Sequence, residues 1–290
     1  MNGFSLIIPA HNEAAVIEAT LRSILASRID RPLQIIVVAN GCSDDTAARA
    51  RAVTGPIQVI ESSVGSKTHA LNLGDRAAKF FPRAYVDADI QLSVNALQSV
   101  ADAFNDPYCR IAAPTANHTY RGRNPFLAGY YRLWRSLPYV RNAIMGSGFY
   151  AIDSTLRSRF KDFPAITADD KFIRNLTQPQ ERRVVEGCRS LVHMPETFAD
   201  LLKVKTRWTY GNLELSQVRP DLDVNDRAQY RGVPTHLLAR PWLWPHIPAF
   251  VFVYLYTRKA AQKRMATTQK VTWERDDSSR SLPRETRPAA

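Results

Sequence analysis

The first half of the chain alternates short β-branched segments with amphipathic helices, and this alternation constrains the fold more than any other feature. Four segments predict strands: Phe4 to Ile8, Leu33 to Ala39, Ile57 to Ile60, and Ala84 to Val86. Between the first two, Glu13 to Ser27 carries apolar residues at the spacing of one buried helical face. Strands that alternate with helices form a largely parallel sheet, and ligands bind at the carboxyl ends of its strands. The sequence therefore predicts an α/β fold with a Rossmann-like, mostly parallel sheet flanked by helices.

Composition and charge narrow the class of protein. Of the 290 residues, 45% are hydrophobic and 23% are charged, which excludes a disordered chain or a bundle of membrane helices. The net charge of +12 favours an anionic partner, which is a nucleotide, a nucleic acid or an acidic lipid surface. Cys42, Cys109 and Cys188 are too widely spaced to suggest a zinc site or a disulfide framework. Together with a start that lacks an export signal, this cysteine usage predicts a cytoplasmic protein.

Polar side chains follow the first two predicted strands. The first strand runs into Pro9, Ala10, Asn12 and Glu13, and the second runs into Asn40, Gly41 and Asp44. At a strand-to-helix junction such groups can hold a nucleotide base or a ribose, and the glycine permits a tight turn. Both segments are equally typical of a capped helix start, so neither identifies a ligand by itself.

A lysine and two carboxylates follow the third and fourth predicted strands. Lys67 begins a helix whose free amides favour an anion, although the spacing is not that of a Walker loop and a solvated lysine is the alternative. Asp87 and Asp89 lie two residues apart, so they project to the same side of an extended chain. Mg²⁺ and Mn²⁺ are typically held by one or two carboxylates and completed by substrate phosphates. Asp87 and Asp89 are therefore the predicted metal ligands.

The second half of the chain contains an almost uncharged segment, residues 242–256, that is followed by a cluster of basic residues. A membrane-spanning helix needs roughly 20 apolar residues, whereas this segment is shorter and is interrupted by Pro245 and Pro248. We expect it to associate with the cytoplasmic face of an anionic membrane as a peripheral or re-entrant segment. A helix packed on the protein's own core is the alternative. Residues 265–290 are polar and charged, which predicts a disordered tail.

Taken together, these residues resemble the family 2 glycosyltransferases, which have the GT-A fold, from about Phe4 to Trp208. The opening P-x-x-N-E of the family is matched by Pro9, Asn12 and Glu13, its lysine-led A-L-N-x-G helix begins at Lys67, and its D-x-D is matched by Asp87 and Asp89. Further along, the acceptor-side G-S-G is matched by Gly146, Ser147 and Gly148, the E-D pair by Asp169 and Asp170, and the R-W of a downstream motif by Arg207 and Trp208.

The resemblance implies an inverting transfer of a sugar from a nucleotide diphosphate sugar to an acceptor hydroxyl, in polysaccharide, lipopolysaccharide or glycolipid synthesis. Asp170 is the expected general base, and Asp169 orients the acceptor or takes the base role instead. Gly146, Ser147 and Gly148, together with Arg207 and Trp208, are expected to contact the acceptor. The catalytic domain is predicted over residues 1–215, with a nucleotide-sugar half to about 115 and an acceptor half from 116, and a C-terminal segment over 216–264.

Two departures from the family pattern and two other classes of protein bear on this interpretation. Ala39 or Asn40 lies where an aspartate of the family usually contacts the base. Asn40 can still offer its amide oxygen to a ring N–H, so a UDP-sugar is the first candidate rather than a fixed assignment. Val204 replaces the glutamine of processive members, which favours transfer of a single sugar.

An inactive member or a basic nucleic-acid-binding protein is one alternative, but phosphate binding leaves the paired carboxylates without a role. A nucleotidyltransferase is the other, and it would release pyrophosphate instead of a nucleoside diphosphate.

Overall fold

A computed structural model describes residues 3–141, 143–225 and 232–267. The strands are β1 (Phe4–Ala10), β2 (Leu33–Asn40), β3 (Ile57–Ser62), β4 (Arg83–Val86), β5 (Gln91–Leu92), β6 (Ile111–Thr119), β7 (Phe149–Ile152) and β8 (Arg182–His193). The α-helices are α1 (Ile17–Ala26), α2 (Thr46–Ala52), α3 (Lys67–Ala77), α4 (Ala96–Ala103), α5 (Pro125–Ser136), α6 (Pro138–Arg141), α7 (Ser154–Arg157), α8 (Asp169–Asn175), α9 (Phe198–Val218), α10 (Val233–Leu238) and α11 (Ile247–Ala266). Short 3₁₀ helices cover Pro179–Glu181, Pro220–Asn225 and Pro241–His246.

In the described part of the chain, eight strands form one sheet in the order β3-β2-β1-β4-β7-β6-β8-β5. The strands β3, β2, β1 and β4 are parallel, β7 is antiparallel to both β4 and β6, and β6 is parallel to β8. The predicted α/β fold class is confirmed, and the four predicted strands correspond to β1 to β4. The chain moves from β1 to β2 on one side and returns to β4 on the other, which is the arrangement that opens a ligand crevice at the carboxyl ends of the strands.

Helices cover both faces of the sheet, and this accounts for the nearly continuous apolar character of the central strands. Every residue of β1 is buried. Leu6 and Ile8 pack into a core with α1 and α4, whereas Ile7 packs into a second core with α3 and α8. A strand buried on both faces needs no polar residue at alternate positions, so its sequence is an uninterrupted apolar run.

A third core joins α5, α9 and α11, beyond the sheet. Ala249, Val253, Thr257 and Ala261 form the buried stripe of α11 at four-residue spacing. The predicted alternative, a helix packed on the protein's own core, therefore applies to one face of this segment. The other face is open to solvent, with Trp242, Phe252 and Leu255 being 65%, 51% and 58% exposed.

Residues 268–290 of the predicted tail lie outside the described residues. Within the described ranges, no helix is both long enough and apolar enough to cross a bilayer.

Candidate active site

The loops that follow β1 and β2 are tied to each other. The side-chain oxygen of Asn12 accepts a hydrogen bond from the amide of Ser43 at 2.8 Å, and the Glu13 amide donates to the Thr46 hydroxyl at 2.7 Å. The Ala14 amide donates to the Asp44 carboxylate at 3.1 Å. Three of the residues predicted to bind the donor, Pro9, Ala10 and Glu13, are buried here. The side chains of Asn12 and Asp44 thus join the loop after β1 to the loop after β2.

A cavity of about 280 Å³ lies at the carboxyl ends of β2 and β3, and it is lined by Ala39, Cys42, Glu61, Ser62 and Ser63. Asn40 is absent from this lining. Its side chain is fully buried on the other face of β2, and neither its amide nitrogen nor its oxygen has a hydrogen-bond partner among the described residues. The structure thus places Ala39, rather than Asn40, beside this cavity.

The turn after β2 can take only glycine at position 41. Gly41 has a φ of +60°, and a Cβ atom there would lie 2.8 Å from the backbone of Gly65. A side chain would therefore be strained by its backbone conformation and would collide with the loop that precedes α3. This close approach brings the start of α3, and with it Lys67, up to the carboxyl ends of the central strands.

Lys67 links a carboxylate that follows β4 to a carboxylate at the start of α8. Its Nζ lies 3.0 Å from Oδ1 of Asp87 and 3.1 Å from Oδ1 of Asp169. Burial alone would lower the pKa of Lys67, but the negative charges of Asp169, Asp87 and Asp170 raise it well above its ordinary value. Lys67 is therefore a permanent cation that joins the D-x-D of β4 to the carboxylate pair of α8. We call Lys67, Asp87, Asp169 and Asp170 the carboxylate cluster.

The two aspartates of α8 occupy different environments. Asp169 is 3% exposed, pairs with Lys67, and accepts a hydrogen bond from the Tyr150 hydroxyl at 3.4 Å. Asp170 accepts a hydrogen bond from the Lys171 amide at 2.7 Å. Burial first, and then the charge of Asp169, raise the pKa of Asp170 to about 6, against the opposing effect of Lys67. Neighbouring groups whose environments differ in this way are typical of an acid–base site, and Asp170 is the one poised to exchange a proton near neutral pH.

The D-x-D pair has the oxygen ligands that a hard divalent cation prefers, and a cation can reach them from solvent. Asp87 and Asp89 offer carboxylate oxygens, and the side chain of Asp87 is 45% exposed to the crevice. Desolvation raises the pKa of Asp87, and the charge of Asp89 adds to this, so the two carboxylates are close enough to repel each other. A bound cation would relieve that repulsion. In the described part of the chain, no group of three or more His, Cys, Asp or Glu side chains is arranged to hold a metal.

The predicted G-S-G loop lies directly against Asp87. The Asp87 amide donates to the carbonyl of Gly148 at 2.8 Å, and a Cβ atom on Gly148, whose φ is +62°, would lie 2.4 Å from Ile90. At the other end of the loop, Nε2 of His118 lies 3.0 Å from the carbonyl oxygen of Gly146. The Ser147 hydroxyl is buried and bonds within the loop. The loop therefore connects the carboxylate cluster to β6 and the helices packed beside it.

Arg207 and Trp208 lie on α9, outside the carboxylate cluster. Trp208 is 38% exposed, and its ring centroid lies 6.4 Å from that of Trp134 on α5. The sequence analysis missed three side chains of this region: Tyr150, Trp134 and Lys205, whose Nζ lies about 4 Å from both indole rings. Tyr150 follows G-S-G in the apolar sequence from Phe149 to Ile152, so only its phenol hinted at a polar role. Lys205 had no signal because its partner on α5 is distant in sequence.

Comparison with known proteins places this geometry in a family. Poly-beta-1,6-N-acetyl-D-glucosamine synthases from Staphylococcus aureus strains are 26% identical to the chain over 234 residues, covering 74% of this chain and 56% of theirs. The chain thus spans a little over half the length of these relatives.

Two solved structures show the same fold. The mannosyltransferase PcManGT from Pyrobaculum calidifontis, in complex with GDP-Man and Mn²⁺, has a TM-score of 0.59 at 21% identity, covering 92% of this chain and 76% of that one. S. aureus TarS 1–349 in complex with UDP-GlcNAc has a TM-score of 0.52 at 13% identity, covering 92% of each chain.

The family model described as "Glycosyl transferase family 2" matches residues 5–159, which is just over half of the chain. This range contains β1 to β4, Lys67, the D-x-D pair and the G-S-G loop, and it ends before α8. The chain therefore belongs to glycosyl transferase family 2.

Proposed function

We propose that this protein transfers a single sugar, with inversion, from a nucleotide diphosphate sugar to an acceptor hydroxyl, and that Asp170 is the general base. One observation carries the proposal: Lys67 holds Asp87 at the end of β4 and Asp169 at the start of α8 within 3.0 and 3.1 Å of a single ammonium. The donor-side D-x-D and the carboxylate pair of α8 therefore line one cleft. An inverting transfer requires a shared cleft, because the general base must act on the acceptor while the diphosphate departs.

The base role is supported by the electrostatics of α8. With a pKa of about 6, Asp170 is mostly ionised at neutral pH, yet it is a stronger base than an ordinary aspartate. Asp169 is buried and fixed between Lys67 and Tyr150, which suits orientation of its neighbour and of the acceptor. Lys67 in turn places a positive charge beside the donor-side carboxylate, where it can contact the diphosphate.

We infer that Asp87 and Asp89 hold Mg²⁺ or Mn²⁺ together with the donor phosphates. When bound, such a cation supplies positive charge to the leaving diphosphate. Gly148 keeps the backbone beside Asp87 free of a side chain, and the Asp87 amide is fixed by the Gly148 carbonyl. These contacts hold the first carboxylate in place before a donor arrives.

The donor is assigned as a UDP-sugar in the first instance, with UDP-GlcNAc and GDP-mannose as the donors to compare. The cavity at the ends of β2 and β3 lies two to three strand spacings from β4, or about 10–14 Å at the usual strand spacing. A base in that cavity would leave the diphosphate to extend toward Asp87. Glu61, Ser62 and Ser63 supply polar groups for the base or ribose.

Transfer of one sugar, rather than polymer synthesis, is proposed because Val204 occupies the glutamine position of the processive pattern. Polysaccharide, lipopolysaccharide and glycolipid acceptors are all consistent with this chemistry. The test is the product: incubation with UDP-GlcNAc, Mn²⁺ and candidate acceptors should release UDP and add one residue to the acceptor. Release of pyrophosphate would instead identify a nucleotidyltransferase, and a ladder of longer products would identify a polymerase.

We further propose that the exposed face of residues 238–256 docks the enzyme on an anionic membrane at the cytoplasmic face. Eight large apolar side chains of this segment are exposed: Leu238, Trp242, Trp244, Val251, Phe252, Tyr254, Leu255 and Tyr256. Between residues 232 and 267 there are five Lys or Arg residues and no Asp or Glu. An apolar face bordered by basic residues is the pattern of an interfacial helix.

Vesicle sedimentation tests this docking. Phe252→Glu combined with Leu255→Glu should release the protein from phosphatidylglycerol vesicles, because both changes introduce charge into the exposed face. Tyr108→Glu is the matched control, since Tyr108 is 70% exposed on another part of the surface. Equal sedimentation of the double variant and the wild type would refute the docking face without affecting the proposed chemistry.

A further inference from the structure

The ammonium of Lys205 is clasped between two indole rings. Its Nζ lies 4.0 Å from the ring centroid of Trp134 and 4.1 Å from that of Trp208. Burial lowers the pKa of Lys205 to about 7. Aromatic faces attract a cation, but they carry no formal charge and replace only part of its lost hydration. The two rings therefore hold the lysine in place, and near neutral pH it lies between its charged and neutral forms.

A second basic side chain lies near Lys205. The guanidinium of Arg135 donates to the backbone carbonyl of His118 at 3.1 Å. Burial, together with the charges of Lys205 and Arg135, lowers the pKa of His118 to about 4, against the bond to Gly146. His118 is therefore neutral at pH 7, and Lys205 and Arg135 are the cations that act on it.

The same region adjoins the G-S-G loop. His118 contacts the carbonyl oxygen of Gly146 at one end of the loop, and Gly148 at the other end accepts the amide of Asp87. His118 also packs edge-on against Trp134, with ring centroids 4.9 Å apart. Lys205 is thus connected through Trp134 and His118 to the loop that borders the carboxylate cluster. Next to it, Trp208 offers a partly open aromatic surface.

We propose that Lys205 and Trp208 form a subsite for a negatively charged group, a phosphate or a carboxylate, carried by the acceptor sugar. The inference rests on the proposed glycosyl transfer and specifies the class of acceptor. A sugar ring stacks on the exposed part of Trp208, and its anionic group pairs with the ammonium in a poorly hydrated environment, where a charge-assisted hydrogen bond is strong. The anion would favour the protonated form of Lys205 and supply its counter-charge.

The test compares soluble sugars that share one ring and differ in charge. Glucose, glucose 1-phosphate and glucuronate are titrated into the full chain, and binding is measured by calorimetry and by tryptophan fluorescence. We expect the two anionic sugars to bind about 10- to 150-fold more tightly than glucose, the range of one charge-assisted hydrogen bond. Lys205→Met keeps the length of the side chain and should abolish the preference, whereas Lys205→Arg should retain it.

Lys203→Met is the matched control, because Lys203 is exposed on the same helix and pairs with Asp200. It should leave the preference unchanged. Equal binding of charged and neutral sugars by the wild type, or an undiminished preference in a folded Lys205→Met variant, would overturn the proposal. So would a loss of UDP affinity in Lys205→Met, because Lys205 would then belong to the donor site.

Two further measurements test whether Lys205 binds a lipid head group instead and whether the chain binds a nucleotide-sugar donor at all. Weaker binding of Lys205→Met to phosphatidylglycerol vesicles, with unchanged binding of the soluble sugars, would assign the lysine to a lipid head group and overturn the sugar assignment. UDP-GlcNAc and GDP-mannose are titrated in parallel with Mn²⁺. A wild type that binds a donor but shows no charge preference refutes only this subsite, whereas one that binds neither donor counts against the proposed glycosyl transfer.

Discussion

Replacement of Asp170 by asparagine should lower turnover and, at alkaline pH, increase stability. The folded protein raises the pKa of this carboxyl from 3.8 to about 6, so the folded state favours its neutral form. Between pH 3.8 and about 6 the folded state therefore binds more protons than the unfolded state, and the free energy of unfolding falls as the pH rises. Above pH 6 the full cost of ionising Asp170 is present, at most about 3 kcal/mol, and less where water reaches the carboxylate.

Asparagine keeps the shape of the side chain and can still accept the hydrogen bond from Lys171, but it carries no charge. We therefore expect Asp170→Asn to be more stable than the wild type at pH 8, with a gain that disappears near pH 4. For a chain of this size each kcal/mol shifts the melting temperature by about 2–4 °C. Turnover should fall by about 10²- to 10⁴-fold, because general-base catalysis is lost, while donor affinity changes little.

The assay measures melting temperature at pH 4, 6 and 8, donor affinity and turnover on one preparation. Wild-type turnover should also rise with pH through about 6, and this ascending limb should be missing from the residual activity of the variant. Asp169→Asn is the control, and it should act more on acceptor affinity than on maximal rate. Near-normal turnover per folded Asp170→Asn molecule would exclude the base role, and a variant that is less stable at pH 8 would refute the electrostatic account.

Three other changes test the surrounding geometry. Lys67→Met should cost about 3–5 kcal/mol in denaturant unfolding at pH 8 because it leaves a buried carboxylate unpaired; the double variant with Asp169→Asn should regain most of this, and failure to do so would contradict the ion pair. Asp89→Ala should abolish Mn²⁺-dependent donor binding in calorimetry, and full activity in excess chelator would exclude a metal role. Gly148→Ala should destabilise the protein more than Gly187→Ala, since both positions have positive φ but only Gly148 has a neighbour in the way; equal losses would mean that backbone strain alone is responsible.

The central strands could be predicted because burial on both faces leaves a simple signal. β1 and β2 are runs of apolar residues, and helices cover both of their faces. β6 and β8 gave no such signal. β8 is only partly buried along most of its length, and the β6–β8 pairing changes register at Pro114 and Thr115, so neither strand shows a clean period of two.

The carboxylate cluster was predictable as residues but not as a contact. Asp87, Asp169 and Lys67 each follow a recognisable local motif, yet their meeting at one ammonium depends on how α3 and α8 dock on the sheet. Lys205, by contrast, could not be predicted even as a candidate residue. It is 71 positions from Trp134, and their contact arises from packing between α5 and α9, for which the local sequence of either helix carries no pattern.

The positive charge of the chain and its candidate catalytic carboxylates lie on different parts of the molecule, and this separation bears on the nature of the partner. The segment from 232 to 267 supplies five of the excess cations without any acidic residue, whereas the crevice gathers Asp87, Asp169 and Asp170 around one lysine. A nucleic acid bound through the basic segment would give these carboxylates no role, and bound in the crevice it would be repelled by them. Under the proposed function, a membrane surface and a diphosphate donor would divide the two charges between them. The basic face would meet anionic lipid, and the carboxylates would meet a cation that accompanies the donor. The net charge of +12 would then reflect the first partner and give no sign of the second.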